Sequence, residues 1–136
     1  MPIAGVVADA NVLLSAAVGK SALRVITDFS VEVHVSELNA DEVSEYLPEM
    51  ADKYRLPVEL VRLQRRLLPL RFHREKDYAA ELASAVAALK DRDPDDAHVL
   101  ALAKTIKFPI WSNDRDLARV GVECFTTARL LRILQG

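Results

Sequence analysis

At 136 residues, 51% of them hydrophobic, the chain has the length of one domain and enough apolar side chain to bury a core. Its 18 basic and 20 acidic residues leave a net charge of −2, which excludes a broadly basic nucleic-acid binder and makes any such surface a local one. The single cysteine, Cys124, excludes an internal disulfide, no thiol or histidine cluster stands at zinc-ligand spacing, and the longest uncharged stretch, residues 10–19, is far too short to cross a bilayer; a soluble protein of a reducing cytoplasm is expected, with no signal peptide.

Short β-branched runs alternate with longer helical ones, the pattern of strand–helix units wound on a parallel sheet. Gly5-Val6-Val7-Ala8 reads as a buried first strand that ends at Asp9, with a helix through Val12-Leu13-Leu14 and, after Gly19-Lys20, a second one N-capped by Ser21. Residues 31–35 alternate as a second strand. Val43, Tyr46, Leu47, Met50 and Tyr54 then recur at the spacing of one buried helix face, with Pro48 placed to bend or split that helix. Pro57 starts another helix, whose Arg62, Arg65 and Arg66 give it a basic side, and residues 68–72 suggest a short strand. The alanine-rich residues 78–89 form a helix. Asp93-Pro94-Asp95-Asp96 is the clearest helix start in the chain: an N-cap, a proline at the first helical position and acids in the first turn. Residues 108–112 are a further strand, residues 122–125 an edge strand, and a last helix begins at Thr127.

Ligands of an open parallel sheet bind at the carboxyl ends of its strands, so the residues that close strands are the first candidates for chemistry. Asp9 closes the first strand, and Asp114 lies just beyond the strand that contains Trp111. Asp96 shares a helix face with Leu100 and Ala103 and can join them, although residues 97–103 are apolar almost all round and periodicity does not separate Asp96 from Asp95. On the helix after the second strand, Glu42 lies roughly a quarter turn from the centre of the apolar stripe, at about 100° per residue. Glu45 falls nearly opposite that stripe, and Glu49 lies further from the sheet edge, which makes Glu42 the better candidate. Converging carboxylates repel one another unless a cation neutralises them. Hard oxygen ligands without Cys or His select Mg²⁺ or Mn²⁺, and an ion held that way suits hydrolysis of a phosphodiester.

Four motifs, in order, carry a family resemblance: Val7-Ala8-Asp9-Ala10-Asn11-Val12-Leu13, Glu42-Val43 with Leu47, Asp93-Pro94-Asp95-Asp96-Ala97, and Ser112-Asn113-Asp114-Arg115-Asp116-Leu117. Each is weak alone, but their joint order over nearly the whole chain resembles the PIN-domain family. The resemblance implies one PIN domain over 1–136, a three-layer α/β/α fold with a central parallel sheet of four to five strands. It further implies a Mg²⁺ or Mn²⁺ site formed by Asp9, Glu42, Asp96 and Asp114, and it favours Asp96 over Asp95. The compact layout looks most like VapC-type toxins, ribonucleases silenced by a partner antitoxin and similar to homodimers in assembly. By that analogy, water activated between Asp9, Asp96 and Asp114 attacks RNA in line and leaves a 5′-phosphate and a 3′-hydroxyl. Ser112 orients a water or a ligand carboxylate, Asn11 helps to hold the site, and Asp116 and Asp93 support it. Lys20, Arg92, Arg115 and Arg119 are candidate contacts to the RNA backbone.

Each acid also has an ordinary reading: Asp9 as a turn residue, Asp93 and Asp96 as helix caps, Asp114 as the start of a short helix, Glu42 as a solvated side chain. His34, His73 and His98 lack ligand spacing and are assigned no role, Trp111 is read as core, and Leu130, Leu131 and Leu134 as either internal packing or a dimer face. A haloacid-dehalogenase phosphatase would need a second Asp where Asn11 stands, and a response-regulator receiver needs acids at other positions. A PIN nuclease of RNA processing without an antitoxin, or a non-catalytic PIN scaffold, are the remaining alternatives.

Overall fold

The computed structural model describes residues 3–136, apart from the side chains of Asp116 and Arg119. Five parallel strands form one sheet in the order β3-β2-β1-β4-β5: β1 (Gly5–Ala8), β2 (Glu32–Ser36), β3 (Leu70–His73), β4 (Ile110–Trp111) and β5 (Cys124–Phe125). Seven helices cover it: α1 (Ala10–Ala17), α2 (Ala22–Thr27), α3 (Glu37–Lys53), α4 (Val58–Leu67), α5 (Glu75–Ala88), α6 (Pro94–Ile106) and α7 (Thr127–Gln135). A 3-10 turn at Arg115–Arg119 follows β4. This is a three-layer α/β/α arrangement with two cores. Val6 and Ala8 of β1 point into the one formed with α1, α2, α3, α4 and α7. Val7, between them, points into the other, with α5 and α6. That alternation explains why the first strand reads as continuously apolar: both of its faces are covered.

The chain runs outward from β1 through β2 to β3, then returns to the other side of β1 for β4 and β5. The order therefore reverses between β1 and β4, and a crevice opens there at the carboxyl ends. Val7 pairs with Ile110 and Ala8 with Trp111, so the residues immediately after both strands, Asp9 and Ser112, leave the sheet side by side.

Several local expectations need correction. Ser21 precedes α2 but is itself helical (φ −56°, ψ −24°) and makes no side-chain cap. The helix containing Pro48 is neither split nor interrupted; Pro48 sits on its exposed side, where a lost N–H costs less. The buried face of α3 is Asn39, Ala40, Val43, Leu47 and Ala51, whereas Tyr46 is 41% exposed. Strands β4 and β5 are each two residues long, shorter than the runs at 108–112 and 122–125. Leu130 and Leu131 are buried and Leu134 packs against the same core, so this leucine face is internal. Among the described residues no helix is long and apolar enough to cross a membrane, and Cys124 is a free thiol.

Candidate metal centre

At the reversal between β1 and β4, a cavity of about 180 Å³ is lined by Asp9, Ala10, Asn11, Asn39, Glu42, Arg92, Asp93, Asp96 and Asp114. Asp9 caps α1: its Oδ1 accepts from the Val12 N–H at 3.0 Å. Its other oxygen accepts from the Ser112 hydroxyl. Ser112 in turn accepts from the Asp114 N–H at 3.0 Å, so one buried hydroxyl ties together the two acids that follow β1 and β4. The loop between them is fixed on its far side, where Asn113 Oδ1 accepts from the Thr127 N–H at 2.9 Å and Trp111 Nε1 donates to Thr127 Oγ1 at 2.9 Å. Trp111 is wholly buried and is core.

Asp96 arrives from the first turn of α6, which Asp93 caps by accepting from the Asp95 N–H at 3.0 Å. Asp95, one position earlier, faces a neighbouring groove with Glu42, Asp41 and Glu45 instead. Burial raises the Asp9 carboxyl above its ordinary value; the bonds from Ser112 and Val12 oppose that, and the nearby Asp114 charge adds to it. Asp96 is pushed up to about 6, by burial first and by Asp114 second, with Arg92 pulling the other way. Glu42 is pushed up to about 7, again by burial first; the Asn39 side chain opposes the rise, and Asp95 and Asp93 contribute to it. Three carboxyls raised by burial and mutual repulsion are carboxyls that a bound cation would return to the ionised form.

Of the four predicted ligands, only Glu42 belongs to the tightest acidic group. Among the described residues, the group whose oxygens lie within 4.8 Å of one another is Glu42, Asp93 and Asp95. Asp96 and Asp114 are instead bridged by Arg92, whose Nη2 lies 2.6 Å from Asp114 Oδ2 and 3.6 Å from Asp96 Oδ2. The donor set is entirely oxygen. Cys124 packs behind Ser112, its Sγ 3.8 Å from the Ser112 carbonyl, and burial pushes its thiol up to about 11, so it offers no thiolate. Oxygen donors of this kind suit a hard divalent cation.

The basic residues are placed unequally. Arg92 lines the cavity. Lys20 lies 4.2 Å over the Tyr54 ring and is not among the lining residues. Arg115 is exposed at the start of the 3-10 turn, and Asp116 and Arg119 have side chains outside the described set. The histidines are engaged elsewhere: His34 Nδ1 with His73 Nε2 at 2.7 Å, and His98 Nδ1 with the Tyr78 hydroxyl at 2.7 Å. Sequence reasoning missed Asn39. It is buried, accepts from the Ser36 hydroxyl at 2.6 Å and donates to Glu42 Oε1 at 3.3 Å. Its one signal was its place three residues before Glu42, on the adjacent turn of the same helix.

A family model described as "PIN domain" matches residues 7–135. Among curated proteins none matches. Two solved structures are similar: a toxin-antitoxin complex from Klebsiella pneumoniae, at 18% identity over 90% of this chain and 97% of that one, with a TM-score of 0.66; and PAE2754 from Pyrobaculum aerophilum, at 17% identity over 98% and 90%, with a TM-score of 0.73. At these identities the two likenesses concern the fold.

Proposed function

The chain belongs to the PIN domain family, and from that premise we propose that residues 1–136 are a single PIN domain acting as a divalent-metal-dependent endoribonuclease. The observation that carries the reading is that Asp9, Glu42, Asp96 and Asp114 all line one cavity where the strand order reverses. Asp9, Asp96 and Asp114 would hold Mg²⁺ or Mn²⁺, with Glu42 as a further ligand. When bound, the ion supplies Lewis acidity toward a phosphoryl oxygen and lowers the pKa of a coordinated water.

The rest of the chemistry belongs to this chain's own side chains. Ser112 fixes the Asp9 carboxylate through its hydroxyl and positions the Asp114 backbone at the same time. Asn39 holds the Glu42 carboxylate, and Asn11, exposed in the cavity lining, would help to hold the site together. Asp93 supports the site by capping the helix that carries Asp96. Lys20, Arg92, Arg115 and Arg119 remain candidate contacts to the RNA backbone, and Asp116 a supporting acid.

The toxin of a VapBC-like pair is the biological setting we favour, with a cognate antitoxin, a homodimeric assembly and a cytoplasmic location. The likeness to a protein from a toxin-antitoxin complex over 97% of that chain supports it. The test is cleavage of labelled mixed RNA by the purified protein in Mg²⁺, Mn²⁺ or EDTA, beside Asp9→Asn and Asp96→Asn. Cutting that needs metal and disappears in both variants is expected. A folded wild type that cuts no RNA in either metal would leave a non-catalytic scaffold, and cutting by Asp96→Asn at the wild-type rate would refute the site.

A further inference from the structure

We propose that Arg92 is a positioning residue that takes the place of a second cation, so that the cavity holds one divalent ion with a fixed guanidinium beside it. This rests on the metal-site reading above and deepens it. Arg92 is not a solvated loop residue. Its backbone N–H donates to the Leu89 carbonyl at 2.8 Å, which pins it just ahead of the Asp93 cap of α6. From there its Nη2 reaches acids delivered by two different segments: Asp114 Oδ2 at 2.6 Å, after β4, and Asp96 Oδ2 at 3.6 Å, in the first turn of α6. The three side chains are 33%, 31% and 20% exposed, so the contact lies in the cavity wall and is partly shielded from solvent.

A positive charge touching carboxylates from two different segments does what the second ion of a two-metal site does, where the ions stand about 3.5–4 Å apart. A guanidinium differs in two ways. It never deprotonates, so its charge is permanent, and its donors are fixed in a plane, so it also sets the angle between the acids it joins. It therefore balances part of the charge of Asp96 and Asp114 and links the two acids through one nitrogen. Asp9, whose carboxylate accepts from the Ser112 hydroxyl, would share the single ion with Asp96 and Asp114.

The readout is the number of Mn²⁺ ions bound per chain, by calorimetric titration and equilibrium dialysis, for the wild type, Arg92→Ala, Arg92→Gln and Arg92→Lys. One ion is expected for the wild type and for Arg92→Lys, which keeps a cation in place. Two ions are expected for Arg92→Ala and Arg92→Gln, together with a larger rise in melting temperature on adding Mn²⁺ than the wild type shows. The glutamine variant, nearer in shape, covers the case in which the alanine variant does not fold. Two ions in the wild type, or one ion at unchanged affinity in both neutral variants, would overturn the proposal. No Mn²⁺ bound by a folded wild type would instead sink the metal site itself, an outcome distinct from a wrong role for Arg92.

Discussion

Replacing Asp96 with asparagine is expected to abolish metal-dependent cleavage and, in EDTA, to make the fold more stable at neutral pH. The Asp96 carboxyl stands near 6 in the folded protein against an ordinary 3.8. A gap of that size corresponds to about 3 kcal/mol, and with the side chain 20% exposed we expect about 1–3 kcal/mol in practice. The sign follows from linkage. A carboxyl raised in the folded state favours folding while it is protonated, and that contribution is lost as pH rises from about 4 through about 6. Wild type in EDTA therefore weakens across this window more than Asp96→Asn does, and Mn²⁺, which binds the ionised form, reverses the trend for wild type only. The assay is urea unfolding at pH 5, 6 and 7.5, with EDTA and with Mn²⁺, for both proteins. If Asp96→Asn in EDTA gains nothing on wild type between pH 5 and pH 7.5, burial and repulsion do not raise the Asp96 carboxyl.

Ser112→Ala removes the hydroxyl that serves both Asp9 and Asp114; it should cost about 1–3 kcal/mol in urea unfolding and weaken Mn²⁺ binding, because a buried carboxylate loses a donor. Gly5→Ala would put a Cβ 2.7 Å from Phe108 Cε2, within the sheet but at the opposite end from the site. It should lower stability by about 1–3 kcal/mol while RNA cleavage per folded molecule stays at the wild-type level, measured by unfolding and by rate at matched folded concentration. Asp93→Ala should cost about 1 kcal/mol through loss of the α6 cap, whereas Asp93→Asn keeps the cap and should unfold within about 0.5 kcal/mol of wild type.

The sequence displayed the parts of the fold that obey local rules. Asp93-Pro94 marked the start of α6 because capping and proline placement act within a few residues, and residues 5–8 marked a strand because burial on both faces leaves no polar position. The face of α3 was harder to read, since Ala40 and Ala51 bury small side chains that carry little hydrophobic signal, while exposed Tyr46 carries much. Periodicity left Asp95 and Asp96 undecided for a related reason: α6 is buried nearly all round, and the difference between them lies in which groove each one faces. The role of Arg92 was invisible. It depends on a loop residue reaching an acid 22 positions further on, a contact that only the return of the chain to β4 creates.

That return also accounts for where the acids are. A parallel sheet that winds outward from its first strand and then comes back to that strand's other side must leave a gap between the loops that follow the two central strands. Here the loops bring Asp9 and Ser112 together, and α6, which packs across β1, β2 and β4, brings Asp96 to the same point. Burying carboxylates there, and gathering them, works against the fold at neutral pH, in line with the raised Asp9, Asp96 and Glu42. The cost is tolerable because the two cores, on opposite faces of the sheet, are built without any of these residues. Conservative changes such as Asp96→Asn, Arg92→Gln or Asp93→Asn should therefore leave the sheet intact, which makes loss of activity in those variants informative about chemistry rather than folding.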